Sequence, residues 1–214
     1  MKIEFKSVIP LPMKNEFIPS GDLWGKEVVF NSSENSVIDA SSGKGKSTFT
    51  AILAGIRNDF EGQVLFDEIN INQFSKSEWT EIRKCKLSFV FQDLQLFDKL
   101  TVKENLLLKN KLTDFKEEKE ILEILTLFGL ENKWTQECGK LSLGQQQRIA
   151  IIRSFLQPAD FLIMDEPFSH LDDNNTQIAF TFLKNHCFEN NIGVILTTLG
   201  NQYANKWDQT IQIG

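Results

Sequence analysis

The sequence predicts an α/β fold on a mixed sheet, with a β-rich N-terminal part and a helical segment inserted before the last strands. Three observations carry this expectation. Short β-branched or aromatic runs stand at both ends of the chain. A continuous apolar run, Phe161-Leu162-Ile163-Met164, ends in Asp165, as a buried parallel strand does. Between them, residues from about 101 to 155 are helix-rich and more charged.

Taken in order, Lys2 to Val8 alternate polar and apolar side chains, the period of a half-buried strand. Pro10, Pro12, Pro19 and Gly21 mark an irregular stretch. Glu27-Val28-Val29-Phe30 and Ser36-Val37-Ile38-Asp39 are short strand runs bounded by turn residues. Thr48 to Ile56 reads as a helix, followed by a turn at Gly62 and strands at Gln63 to Phe66 and Ser88 to Phe91. The run Lys116-Glu117-Glu118-Lys119-Glu120 reads as a solvated helix face. Gly193-Val194-Ile195-Leu196-Thr197 repeats the buried-strand pattern, and Thr210-Ile211-Gln212-Ile213 closes the sheet. No internal repeat or low-complexity linker interrupts the chain. One domain over 1–214 is expected, with a core of about 1–91 and 156–214 and a helical subdomain of about 92–155.

Composition narrows the function. The 214 residues, 41% hydrophobic and 24% charged, exclude a disordered or fibrous protein. With 23 Lys and Arg against 29 Asp and Glu, the net charge is −6. A dedicated nucleic-acid binder carries a basic stripe, so no nucleic-acid partner is expected. Cys85, Cys138 and Cys187 form no paired spacing, and His170 and His186 are too few and scattered for a zinc site. With no signal-peptide core and no run of about 18 apolar residues, a reduced, cytosolic compartment is the expectation.

The chemistry concentrates in Ala40-Ser41-Ser42-Gly43-Lys44-Gly45-Lys46-Ser47-Thr48, which follows a predicted strand and opens a predicted helix. Gly43 and Gly45 let backbone N–H groups approach phosphate oxygens, and the helix beginning at Lys46 adds its positive dipole end. Lys46 suits the β- and γ-phosphates and the Ser47 hydroxyl suits Mg²⁺. Ala40 stands where the usual pattern has its first glycine, a methyl group that a negative φ tolerates. The alternative is a Gly/Ser turn with two exposed lysines. At the C-terminal end of the buried strand come Asp165, suited to Mg²⁺, and Glu166, placed to polarise a water attacking the γ-phosphate. Two acids capping a strand or helix are the alternative for that pair.

Between these sites, Leu141-Ser142-Leu143-Gly144-Gln145-Gln146-Gln147-Arg148 leads into a helix over Ile149 to Phe155, and Asp165-Glu166-Pro167 and Ser169-His170-Leu171-Asp172 follow. In this order the motifs resemble the nucleotide-binding subunit of ATP-binding-cassette (ABC) transporters over essentially the whole chain. The resemblance implies a P-loop NTPase (RecA-like) core that binds ATP and Mg²⁺. It makes Phe91-Gln92-Asp93-Leu94-Gln95-Leu96-Phe97 the Q-loop, with Gln92 contacting Mg²⁺ and the attacking water. Ser142, Gly144 and Gln145 match the signature motif that binds the γ-phosphate of ATP held on the other subunit, with Leu143 in place of a glycine. A Ser N-cap on an ordinary helix is the alternative reading of Ser142. Within the family the chain looks most like the lipoprotein-releasing, macrolide-exporter and cell-division (FtsE-type) ATPases.

Two departures stand out. Leu199 occupies the place of a histidine that contacts the γ-phosphate. The adenine-stacking aromatic is replaced at about Pro12, and Phe17 and Trp24 nearby read as packing residues. The family implies a head-to-tail dimer, homomeric or paired with a second ABC subunit. It also implies a separate transmembrane permease that holds the chain on the inner face of the cell membrane. Leu94, Leu96 and Phe97 either line the groove for that partner's cytoplasmic helix or belong to the core. The expected function is an ATPase that powers or gates the permease. The alternative is a slow or non-hydrolysing regulatory switch, favoured by Leu199, Leu143 and Ala40 and opposed by Glu166, Lys46 and Gln92. A soluble family member serving DNA repair or translation carries coiled-coil insertions or tandem cassettes, for which 214 residues leave no room.

Overall fold

A computed structural model describes residues 1–14, 21–41, 43–200, 203 and 207–213. Parallel and antiparallel pairing fall into two separate sheets. Alternation along β1 (Lys2–Pro10) buries Ile3, Phe5 and Val8 on one face. This strand pairs antiparallel with β2 (Glu27–Asn31) and β4 (Phe60–Phe66), and β5 (Ile69–Asn70) extends the edge beyond β4. A bulge at Ser7, where φ is 51°, shifts the register between Lys6 and Ile9. That bulge keeps Val8 on the buried face.

The second sheet is parallel throughout. It contains β3 (Asn35–Ala40), β6 (Leu87–Val90), β7 (Phe161–Asp165), β8 (Gly193–Thr198) and β9 (Gln209–Ile213), in the order β6-β7-β8-β3-β9. The central strands β7 and β8 read as apolar runs because both faces are covered. Phe161, Ile163, Ile195 and Ile38 point into the cluster shared with the antiparallel sheet. Leu162, Met164, Val194, Leu196 and Val37 point into a second cluster on the other side.

Helix α1 (Lys46–Leu53) fills the space between the two sheets. Its Phe49 stacks on Phe5 with ring centres 5.1 Å apart. The other face of the parallel sheet is covered by α3 (Val102–Asn110), α4 (Glu118–Leu127), α5 (Leu143–Ser154) and α6 (Asp173–Asn190). The apolar cluster runs without a break from these helices into the sheet.

Several boundaries differ from the sequence expectation, each for a local reason. The first helix ends at Leu53 instead of Ile56 because Gly55 turns the chain at φ 66°. The signature helix begins at Leu143, six residues before the expected Ile149, because Ser142 and Gln145 form a capping box. The charge run 116–120 straddles a helix start, with Glu117 as N-cap and Glu120 returning to its N–H, so only Glu118 to Glu120 form an exposed helix face. Two helices lie beyond the expectation, α2 (Lys76–Cys85) and α6. The three cysteines are free thiols. No helix among the described residues is long and apolar enough to cross a membrane.

Candidate functional site

The C-terminal ends of the parallel strands converge on the turn between β3 and α1, the position where α/β sheets bind ligands. Ala40 is the last residue of β3, paired with Ile213 and 3% exposed. It is not among the positive-φ residues, so its methyl group meets no backbone penalty. Past Ser41 two of the described residues are left-handed, and both are glycine: Gly43 at φ 79° and Gly45 at φ 98°. At Gly45 space is also limiting, since a Cβ there would lie 3.0 Å from Trp24 Nε1 and 3.1 Å from Met13 Sδ. Ser42 lies outside the described residues, as does Phe17.

Lys46 opens α1 and is 6% exposed. Its Nζ donates to the Ala40 carbonyl at 2.7 Å and the Ser41 carbonyl at 3.4 Å, and lies 3.4 Å from Glu166 Oε1. The ammonium is therefore folded back across the mouth of its own loop and paired with the carboxylate of Glu166, which follows β7. Lys44 and Thr48 flank this turn, and the Lys44 carbonyl accepts from Trp24 Nε1 at 3.2 Å. Trp24 is 4% exposed and packs edge-on against Phe5, so it is a core residue that braces the loop.

One helical step on, Ser47 Oγ donates to Gln92 Oε1 at 3.4 Å. Ser47, Gln92 and Asp165 line one cleft. Asp165 is 2% exposed and accepts from Thr197 Oγ1 of β8, its neighbour in the sheet. Three oxygen donors facing one space fit a hard cation such as Mg²⁺. Glu166 takes a left-handed φ of 48°, with its N–H donating to the Thr197 carbonyl at 3.2 Å. The non-glycine left-handed turn sets this carboxylate beside Lys46. Beside it, burial raises the Tyr203 phenol, a hydrogen bond with Thr198 opposes that, and the Glu166 charge adds to it.

The structure brings Lys46, Ser47, Gln92, Asp165 and Glu166 together, whereas Ser142, Gly144 and Gln145 sit at the N-terminus of α5. Ser142 is the N-cap, and its N–H donates to Gln145 Oε1 at 3.0 Å. Gly144 permits a close approach: a Cβ there would lie 2.7 Å from the His170 carbonyl. Leu143 is half exposed on the same turn. This leaves free backbone N–H groups and a dipole end, a surface suited to an anion.

Gln147 links the two regions, and its motif position alone gives no sign of this. Buried to 1%, it donates from Nε2 to the Glu166 carbonyl at 3.2 Å and Ser169 Oγ at 3.3 Å, while its Oε1 accepts from His170 N–H at 2.8 Å. Thr197 was likewise hidden in the strand run Gly193–Thr198.

Leu199 follows β8 and is 54% exposed. Pro12 is exposed in a short 3₁₀ turn over Leu11–Met13. Of the residues after Gln92, Leu94 is buried in the core and Leu96 packs against it, but Phe97 is 57% exposed and lines a groove beside α3. Leu94 and Leu96 therefore belong to the core, and Phe97 lines a groove.

A family profile described as "ABC transporter" matches residues 27–169. The lipoprotein-releasing system ATP-binding protein LolD of Buchnera aphidicola from Schizaphis graminum is 36% identical over 149 residues, covering 68% of this chain and 65% of that protein. This chain thus spans just under two thirds of that relative's length. LolD of Wigglesworthia glossinidia brevipalpis is 30% identical over 188 residues, 86% of this chain and 82% of the relative. Among solved structures, the dimeric bacterial ABC transporter cassette MJ0796 superposes with a TM-score of 0.76 at 28% identity, over 91% of this chain and 87% of that one.

Proposed function

This chain belongs to the ABC transporter family, and we propose that it is an ATP-binding and ATP-hydrolysing subunit that powers a separate transmembrane partner. The observation that carries the reading is the convergence of Ser47, Gln92 and Asp165 on one cleft at the strand ends, next to the Lys46–Glu166 ion pair. The working unit is residues 1–214, a core of about 1–91 and 156–214 with helices of about 92–155 set into it.

The chemistry follows from the side chains. Arriving phosphates displace Lys46 from Glu166 and from the Ala40 carbonyl, and the ammonium turns to the β- and γ-phosphates. Loop N–H groups from Ser41 to Thr48 and the α1 dipole hold the remaining oxygens. Mg²⁺, when bound through Ser47, Gln92 and Asp165, neutralises charge on the β- and γ-phosphate oxygens. Freed of its lysine, Glu166 accepts a proton from the water that attacks the γ-phosphorus, and ADP leaves as the phosphorus–oxygen bond breaks. In a head-to-tail dimer the α5 N-terminus of one copy, with Ser142, Gly144 and Gln145, receives the γ-phosphate held by the other. A homodimer and a pairing with a second ABC subunit both provide this arrangement. The apolar groove with Phe97 on its rim seats a cytoplasmic helix of the membrane partner, which places the subunit on the inner face of the membrane.

Gln147 positions Glu166 and the His170 loop against α5, so Gln147→Leu lowers turnover about 10- to 100-fold through misplacement of the base. ATP affinity, set by the Lys46 loop, stays within about twofold. Steady-state turnover and titration calorimetry separate the two.

Leu199 tests whether hydrolysis is slow. A donor at this place would stabilise charge developing on the γ-phosphate, a contact typically worth about 10²–10³ in rate. Wild type is therefore expected to turn over well below the ~10 s⁻¹ common to enzymes, and Leu199→His to raise the rate at least tenfold. Wild-type turnover near that figure, unchanged by Leu199→His, rules out the slow reading and leaves an ordinary engine. Absence of ATP binding rules out the function itself.

A further inference from the structure

We infer that the groove beside α3 selects a partner helix carrying a carboxylate, anchored on Lys109. This rests on the reading of the groove as the seat of the membrane partner and adds the chemistry of the segment that enters it. The groove has a volume of about 440 Å³ and a rim of exposed apolar side chains: Ile56 at 67%, Phe97 at 57%, Leu108 at 48% and Leu112 at 52%. Such a patch is the dock for an apolar helix face.

Its charge pattern is one-sided. Arg83, Lys109 and Arg153 line it, and no carboxylate does so among the described residues, in a chain whose net charge is −6. Two of these cations are already occupied. Arg153 donates to the Gln95 carbonyl at 2.6 Å and the Leu94 carbonyl at 2.7 Å. Arg83 donates to the Ala54 carbonyl at 3.2 Å and lies over the Trp79 ring. The polar side chain of Asn105 is also satisfied, donating to the Phe97 and Leu100 carbonyls and accepting from Phe97 N–H. Of the three, only the Lys109 side chain has no hydrogen bond or ion pair among the described residues.

That lysine is poorly solvated where it stands. Burial first, and the Arg153 charge second, push its ammonium down to about 8. A charged group left half-buried in an apolar wall beside a second cation gains most from an incoming anion. The occupant is therefore an apolar helix with an Asp or Glu facing Lys109, not a basic amphipathic segment. Arg153 adds to the attraction without being free to form a second full pair.

The test is display selection of 14-residue helical peptides on the full-length protein, with Leu108→Arg as the variant that blocks the groove. Peptides that bind wild type and not Leu108→Arg are expected to share an acid at one position. Lys109→Met should weaken them about 30-fold or more, as should replacing that acid by its amide, because each change leaves one charge buried and unpaired. Groove-binding peptides without a shared acid, or with unchanged affinity for Lys109→Met, overturn the carboxylate anchor. If no selected peptide is sensitive to Leu108→Arg, the docking reading beneath it fails. ATP affinity measured on the same proteins reports separately on the nucleotide site.

Discussion

Glu166→Gln abolishes ATP turnover, by at least the 10²–10⁴ typical of a lost general base, while ATP stays bound. Amide and carboxylate have the same shape, so the left-handed turn at Glu166 and its N–H bond to the Thr197 carbonyl persist. What disappears is the group able to take a proton from water. A second effect follows from the ion pair. Glu166 pairs with Lys46 across 3.4 Å, so it competes with phosphates for the same ammonium. The amide competes less and removes one negative charge facing ATP, so affinity should rise severalfold. With hydrolysis stopped, two copies remain closed on their nucleotides. Size-exclusion chromatography should then show a dimer with ATP and a monomer without it. Hydrolysis at the parental rate, or a variant that stays monomeric with ATP at high protein concentration, removes Glu166 from this role.

The site was legible where its chemistry is contiguous along the chain. Ala40 to Thr48 carry loop, cation and metal donor within nine residues, and the strand before and helix after them are local patterns. Asp165 and Glu166 were legible because an unbroken apolar strand can only end at a ligand-binding edge or a turn. Side chains that act across the sheet were not. Gln147 reaches 19 residues ahead to the Glu166 carbonyl, and Thr197 reaches 32 residues back to Asp165. No local spacing encodes either contact. Helix α6 was hidden for another reason. Its 18 residues bury only Ala179, Phe180, Leu183 and Cys187, and Asn and Thr crowd its first turns, so the apolar stripe is thin. Helix α2 also went unread, although Ser75 and Glu78 form a capping box at its start. The splitting of the strands into an antiparallel and a parallel sheet was beyond local pattern, because pairing partners lie far apart in the chain.

Lys46→Ala should weaken ATP binding by about 10- to 150-fold, the equivalent of the roughly 1.5–3 kcal/mol of a hydrogen bond to a charged group. The size of the loss depends on what the lysine does before ATP arrives. Its ammonium is buried and held by the Ala40 carbonyl and by Glu166, so binding exchanges those contacts for phosphate and does not gain them outright. Removal also leaves Glu166 without its cation and facing the incoming phosphates, which adds repulsion to the lost attraction. The two contributions separate in a double-mutant cycle. Lys46→Ala in the Glu166→Gln background should cost less than Lys46→Ala alone, because the repelling charge is gone. Lys46→Met, which keeps the buried stem, distinguishes lost charge from lost packing around α1. Calorimetric titration of the four proteins gives the cycle directly. Equal losses in both backgrounds mean that Lys46 and Glu166 act independently. Unchanged ATP affinity in Lys46→Ala removes the loop from nucleotide binding altogether.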